Sequence, residues 1–343
     1  MNLFDIFGVR GREDPVTNVI AAACSSSAEF QTAFLIDVGC PSQQAPPQVR
    51  KGHDEAGHPD LTFSSSLIEV KWGASQGAGQ LDRYAHLPQF MEYRLLSLEA
   101  QLPDSPQFIP VRFENILPAL RMRYKIEDPR TKFALEDLEE IIRNYSAIPS
   151  YEEGQSLTAY LELATDERRR RRLIEALMKQ NLPAGWWFNA SREGRGRKEQ
   201  FDHLNARPPH WLVTDGQGQV HTDVHIEVSV AVGPSTPRSS LRVSLDCEPY
   251  PYPRGGRRLA GERLSAHTRF RTHLAPRLKR AVEAALQSGL FPGWRTNSRG
   301  RLNVIAPIRP PTDPTVGEFN KKLRAFADVV VPVVDEVIRA EVQ

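Results

Sequence analysis

Cysteine is scarce in this chain. Its 343 residues include three, Cys24, Cys40 and Cys247, too few and too widely spaced for a disulfide framework or a zinc site, and a reducing compartment is the natural expectation. Long apolar runs are also lacking: none approaches the roughly 20 residues that cross a bilayer. The opening Met1-Asn2-Leu3-Phe4-Asp5-Ile6-Phe7 has neither the basic start nor the long apolar core of a signal peptide. A cytoplasmic protein with no membrane association is therefore expected. An excess of one charge is missing too. Lys and Arg number 44 against 42 Asp and Glu, a formal net charge of +2, so bulk charge neither demands nor excludes nucleic acid and local patches must decide.

What is present is ordinary globular composition, 40% hydrophobic and 25% charged, over a length that suggests about two domains. Asp14 and Pro15 read as N-cap and first position of a helix, which carries Val19, Ile20, Ala23, Phe30, Phe34 and Leu35 toward a core. A Pro-rich loop spans 37–47, and 48–52 suits a first strand. Strands at 61–64 and 67–72, a helix from Gln80 that Pro88 ends, and strands at 94–99 and 108–113 follow. Helical periodicity returns at 115–123 and 133–145. An initial helix, then strand, strand, helix and strand, is the pattern of an α/β core around a mixed sheet. We therefore expect three segments: an α/β domain over 1–150, a helical basic connector over 151–181, and an α+β recognition or oligomerisation domain over 182–343. In the last, strands are expected at 211–214, 225–232, 240–247 and 302–308, with long helices at 261–288 and 316–340 that could support a homodimer.

The chemistry concentrates in His58-Pro59-Asp60-Leu61-Thr62-Phe63-Ser64-Ser65-Ser66-Leu67-Ile68-Glu69-Val70-Lys71-Trp72. Strand side chains alternate faces, so Glu69 and Lys71 point one way while Ile68 and Val70 point into a core. Asp60 arrives from the neighbouring strand. Two carboxylates with one ammonium form an acidic pocket suited to a divalent cation. On the next helix Gln80 and Tyr84, four residues apart, share a face.

Pro59-Asp60, eight residues, Glu69-Val70-Lys71, a glycine turn and Gln80-X-X-X-Tyr84 together resemble the PD-(D/E)XK nuclease superfamily, with Gln80 and Tyr84 similar to the QxxxY motif of RecB-type members. The resemblance covers about residues 10–145 and is specific over 58–84. It implies a restriction-endonuclease-like core, a mixed central sheet flanked by helices, and Mg²⁺- or Mn²⁺-dependent hydrolysis of DNA phosphodiester bonds. It implies roles for individual residues as well. Asp60, Glu69 and the carbonyl of Val70 would hold the metal, hard oxygen donors for a hard cation, and Glu13 would be an accessory acidic ligand. Lys71 would orient or help deprotonate the attacking water, with Gln80 and Tyr84 beside it. Glu13 could equally be a helix-start glutamate, and Tyr84 a core aromatic. Prokaryotic DNA processing or anti-phage defence is the setting the resemblance implies.

Elsewhere the bland readings lead. His53, Asp54, Glu55 and His58 lie in a polar loop without metal-ligand spacing. The run Arg168 to Arg172 reads as a solvated helix face. Arg192, Arg195, Arg197 and Lys198, in a flexible basic segment beside Trp186 and Trp187, are the better candidates for contacting nucleic acid, although the tryptophans themselves suit a core. His225, Glu227, Asp246 and Glu248 suggest a second acidic site, but opposed polar pairs on antiparallel strands need no metal. DNA is the expected partner, with a protein partner engaging the C-terminal domain as a further expectation. A scaffold that keeps the fold without catalysis, and a subunit active only in a complex, are the alternatives.

Overall fold

The structure, a computed structural model, describes residues 13–41, 59–72, 80–87, 89–103, 105–194, 200–231, 240–250, 261–287 and 314–342. It divides into two compact units, Met1–Ala147 and Ile148–Gln343. Both are mixed α/β. Among the described residues no helix is long and apolar enough to cross a membrane.

The first unit opens with α1 (Glu13–Ser26) and α2 (Ala28–Asp37). The sequence suggests one continuous helix, but the chain breaks at Ser27. Its backbone turns extended (φ −144°) and its hydroxyl accepts the Phe30 N–H, capping α2. Asp14 lies inside α1 instead of capping it. Val16, Ile20, Ala23 and Cys24 of α1 and Phe30, Phe34 and Leu35 of α2 are buried, the i, i+4, i+7 pattern of a helix with one face in a core.

A four-stranded sheet follows, ordered β1 (Leu61–Thr62), β2 (Ser66–Lys71), β3 (Glu92–Ser97), β4 (Phe108–Arg112). β1 and β2 form an antiparallel hairpin, and β2, β3 and β4 run parallel. Parallel neighbours need a crossover, and the connection from β2 to β3 contains α3 (Gln80–Tyr84). A short 3₁₀ turn leads to α4 (Leu117–Arg121), and α5 (Pro129–Ser146) completes the unit. Asp128 caps α5 by accepting the Thr131 N–H at 2.9 Å, with Pro129 at its first position.

The sheet is buried on both faces. On one, Ile68, Val70 and Trp72 join the helical core of α1, α2, α4 and α5, and Trp72 meets Phe113 edge-on at 4.8 Å. On the other, Leu67 packs with Leu81, Tyr84, Phe90, Tyr93, Leu95 and Phe108. Each of these large side chains contributes roughly 1.5–3 kcal/mol by leaving water. Glu69 and Lys71 share the second face, so they sit in a covered interior and not on a solvated strand.

In the second unit the segment expected as a connector is part of the fold. α6 (Leu157–Leu161) and α7 (Glu167–Asn181) precede an antiparallel sheet of β5 (Trp187–Gly194), β6 (Gln200–Arg207), β7 (Leu212–Thr214), β8 (Val220–Ala231) and β9 (Ser240–Pro249). β8 is central, pairing with β6 and β7 along one edge and with β9 along the other. Two long helices, α8 (Gly261–Gln287) and α9 (Val316–Val342), run antiparallel, tied by Arg277 to Glu336 at 2.6 Å and His273 to Glu341 at 2.6 Å. The arginine run is not a solvated face: Arg171 and Arg172 are buried, and Arg170 and Arg171 grip Asp202 of β6 at 2.6 and 3.2 Å. Residues 192–194, expected to be flexible, are the end of β5. The strands expected at 48–52 and 302–308 lie outside the described residues.

Candidate active site

The hairpin β1–β2 is where the site begins. Its ladder pairs Leu61 with Ile68 and Thr62 with Leu67, and extended by two residues that register sets Pro59 opposite Val70. Proline has no N–H to give to the ladder, and the chain departs there. Asp60 fills the gap, its Oδ2 accepting the Val70 N–H at 2.8 Å. Within a strand the N–H and C=O of one residue point to the same edge, so the Val70 carbonyl also points to the edge where Asp60 sits. The next residue points the other way, its carbonyl accepting the Leu98 N–H at 3.0 Å.

Glu69 is the hub. It is 1% exposed and its Oε1 receives two donors, Lys71 Nζ at 2.8 Å and Gln80 Nε2 at 2.6 Å. Lys71, 5% exposed, is the ionic partner that lets a carboxylate lie so deep. Gln80 also donates to the Tyr84 hydroxyl at 3.4 Å, one amide nitrogen spanning both groups along a single helical face. The Tyr84 phenol is pushed above its ordinary range, chiefly by burial. The Gln80 hydrogen bond lowers it, the negative charges of Glu69 and Asp60 raise it, and Lys71 lowers it. Both carboxylates thus bear on the same hydroxyl, which stays protonated at neutral pH.

The structure therefore brings Asp60, Glu69, Val70, Lys71, Gln80 and Tyr84 together. Tyr84 is both a core aromatic and a neighbour of the carboxylates, so the two readings of it are compatible. Asp60 Oδ2 and the Val70 carbonyl share one edge of β2, and Glu69 adjoins them in the chain; carboxylate and carbonyl oxygens are hard donors of the kind that Mg²⁺ or Mn²⁺ prefers. Glu13 is the first residue of α1. Arg192 lies on β5, its backbone opposite Asp202. Arg195, Arg197 and Lys198, with His53, Asp54, Glu55 and His58, lie outside the described residues. Trp186 is buried against Trp211, ring centroids 5.1 Å apart, and Trp187 lies under the Arg207 guanidinium at 5.6 Å.

A second concentration of polar groups occupies one face of the C-terminal sheet. β8 alternates strictly, with Val224, Ile226 and Val228 buried on one face and Asp223, His225, Glu227 and Ser229 on the other. Asp223 and His225 stand opposite Glu248 and Asp246 of β9, the opposed polar pairs that the sequence suggests, and are each 1% exposed. Arg207 stands 3.2 Å from Asp223, and His225 Nδ1 lies 3.3 Å from the same carboxylate oxygen. Burial alone would lower the His225 imidazole, but the Asp223 hydrogen bond and the charges of Asp223, Glu248 and Asp246 outweigh it and raise it to about 9. Burial would raise Glu227; hydrogen bonds and charge from His203, a bond from Ser229 and the charge of His225 bring it down to about 2. His203, Asn205, Arg207, Asp223, Ser229 and Ser244 were not singled out from sequence, although the two-residue period of 222–230 carries the signal for those on β8.

Comparison of the chain with protein-family models, with curated proteins and with solved structures gave no match.

Proposed function

We propose that the first unit is a metal-dependent deoxyribonuclease with a restriction-endonuclease-like core, and that the second unit recognises substrate or partner. The observation that carries this reading is the convergence of Lys71 and Gln80 on the single buried oxygen Glu69 Oε1, with Asp60 fixed beside them on the Val70 N–H. Buried charge is costly, and no packing need of a parallel sheet calls for a Glu, a Lys and a Gln in one knot.

Asp60, Glu69 and the Val70 carbonyl would hold Mg²⁺ or Mn²⁺. Such an ion, when bound, makes its water more acidic and offsets charge on a scissile phosphate. The residues of the chain do the rest. Lys71 presents an ammonium that can orient an attacking water and oppose the charge growing on phosphate oxygens. Gln80 fixes the carboxylate rotamer, so that the site is organised before substrate arrives. Tyr84, held protonated, offers a hydroxyl donor at the edge of the same cluster.

A metal titration of cleavage on single- and double-stranded DNA tests the reading, comparing the intact protein with D60A, E69A and K71A. Cleavage that needs Mg²⁺ or Mn²⁺ and is lost in all three supports it. Equal cleavage by all three variants overturns the site assignment. Tight DNA binding without cleavage under any divalent ion favours the scaffold reading.

A further inference from the structure

The polar face of the C-terminal sheet brings together a group of potential ligand atoms. His225, Glu227 and Asp246 place one ligand atom each within 4.8 Å of one another. The spacing follows from strand register: His225 and Glu227 are two apart on β8, hence on one face, and Asp246 of β9 is the direct cross-strand partner of His225. Their surroundings resemble what holds metal ligands in place. The His225 Nδ1 edge is engaged by Asp223, which leaves Nε2 as the ligand nitrogen, and a carboxylate behind an imidazole is the usual support of a ligating histidine. Arg207 in turn holds Asp223. Glu227 Oε1 accepts the Ser229 hydroxyl at 2.7 Å.

Two further side chains point to a ligand. Asn205 and Ser244 are the cross-strand partners of Glu227, one on each side, and so lie on its face. They are 8% and 0% exposed. Among the described residues neither the Asn205 Oδ1 nor the Ser244 Oγ has a hydrogen-bond partner. A buried amide oxygen with no donor is destabilising, and a cation beside Glu227 would relieve that cost. We propose that His225, Glu227 and Asp246 form a binding site for a divalent transition-metal ion, with Asn205 as an additional oxygen ligand. One imidazole with carboxylate oxygens suits the ions between Mn²⁺ and Zn²⁺ better than Mg²⁺ or Ca²⁺.

The test uses full-length protein carrying D60N and E69Q, which removes the carboxylates of the first site, stripped with chelator and titrated with Zn²⁺. The expected result is one Zn²⁺ per chain with a raised melting temperature. X-ray absorption should show one imidazole nitrogen and otherwise oxygen ligands. Adding E227Q or D246N, both close in shape to the native side chains, should weaken binding more than about tenfold while circular dichroism of the chelated protein stays unchanged. Absence of Zn²⁺ uptake overturns the proposal. So does uptake that E227Q and D246N leave intact, or a coordination shell without imidazole. Should either variant fail to fold, the absorption spectrum of the parent protein decides alone.

Discussion

Asp60 Oδ2 accepts the Val70 N–H where the hairpin register would set a proline. One carboxylate thereby ends the β1–β2 ladder and fixes its own place next to Glu69. The two jobs separate by substitution. D60N keeps an acceptor oxygen for Val70 and should hold stability to within about 1 kcal/mol, whereas D60A leaves the N–H without its partner and should cost about 1–3 kcal/mol. Urea denaturation measures both. Cleavage should be lost in both variants, because only the carboxylate supplies negative charge. Full activity in D60N would reduce Asp60 to a structural cap.

Lys71 and Glu69 are a buried ion pair, 5% and 1% exposed. Removing one partner strands the other charge, at about 3–5 kcal/mol, while replacing both is far less costly. K71M alone should therefore be strongly destabilised, and E69Q/K71M should recover most of that loss and remain inactive. Denaturation of the two single variants and the double one gives the coupling directly. Additive effects would mean that the two groups do not act as a pair.

The C-terminal unit sets a pH window. His225 is raised to about 9 from 6.5, so its contribution is complete below 6.5 and is lost as pH rises through 9. His267 is lowered to about 4, chiefly by burial, so its contribution is present above 6.5 and is lost as pH falls toward 4. Glu227, lowered to about 2 from 4.5, adds a loss below 4.5. Melting temperature in chelator should peak near pH 6.5 and fall on both sides. H225Q should flatten the alkaline limb and H267N should shrink the acid limb. An alkaline limb unchanged in H225Q would show that Asp223, Asp246 and Glu248 do not hold a proton on that imidazole.

Much of the first site was legible because its signals are local. A two-residue strand period fixes Glu69 and Lys71 on one face, and a four-residue helical spacing fixes Gln80 against Tyr84. Neither period reveals that the face is covered. Leu67 shares it, and the packing of Leu81, Tyr84 and Phe90 over it is a tertiary fact. The break at Ser27 is not evident from periodicity because apolar residues continue on both sides of it, and only the cap distinguishes two helices from one. The β5–β6 hairpin is hard to read from sequence for a different reason. Arg192, Glu193 and Gly194 lack apolar alternation, and they are strand because β6 pairs with them. For the polar row of β8 the alternation was visible, but its burial depends on the whole sheet.

The proposed metal-dependent cleavage depends on Glu69, and E69Q is the variant that decides it. Glutamine keeps the size and an oxygen for Lys71 and Gln80 but removes the charge. With saturating Mg²⁺ and a DNA substrate that the native protein cuts, E69Q, destabilised by the stranded Lys71 charge but still folded at the assay temperature, is expected to cleave more slowly by about a hundredfold or more. A folded E69Q protein that cuts DNA at the native rate would contradict it.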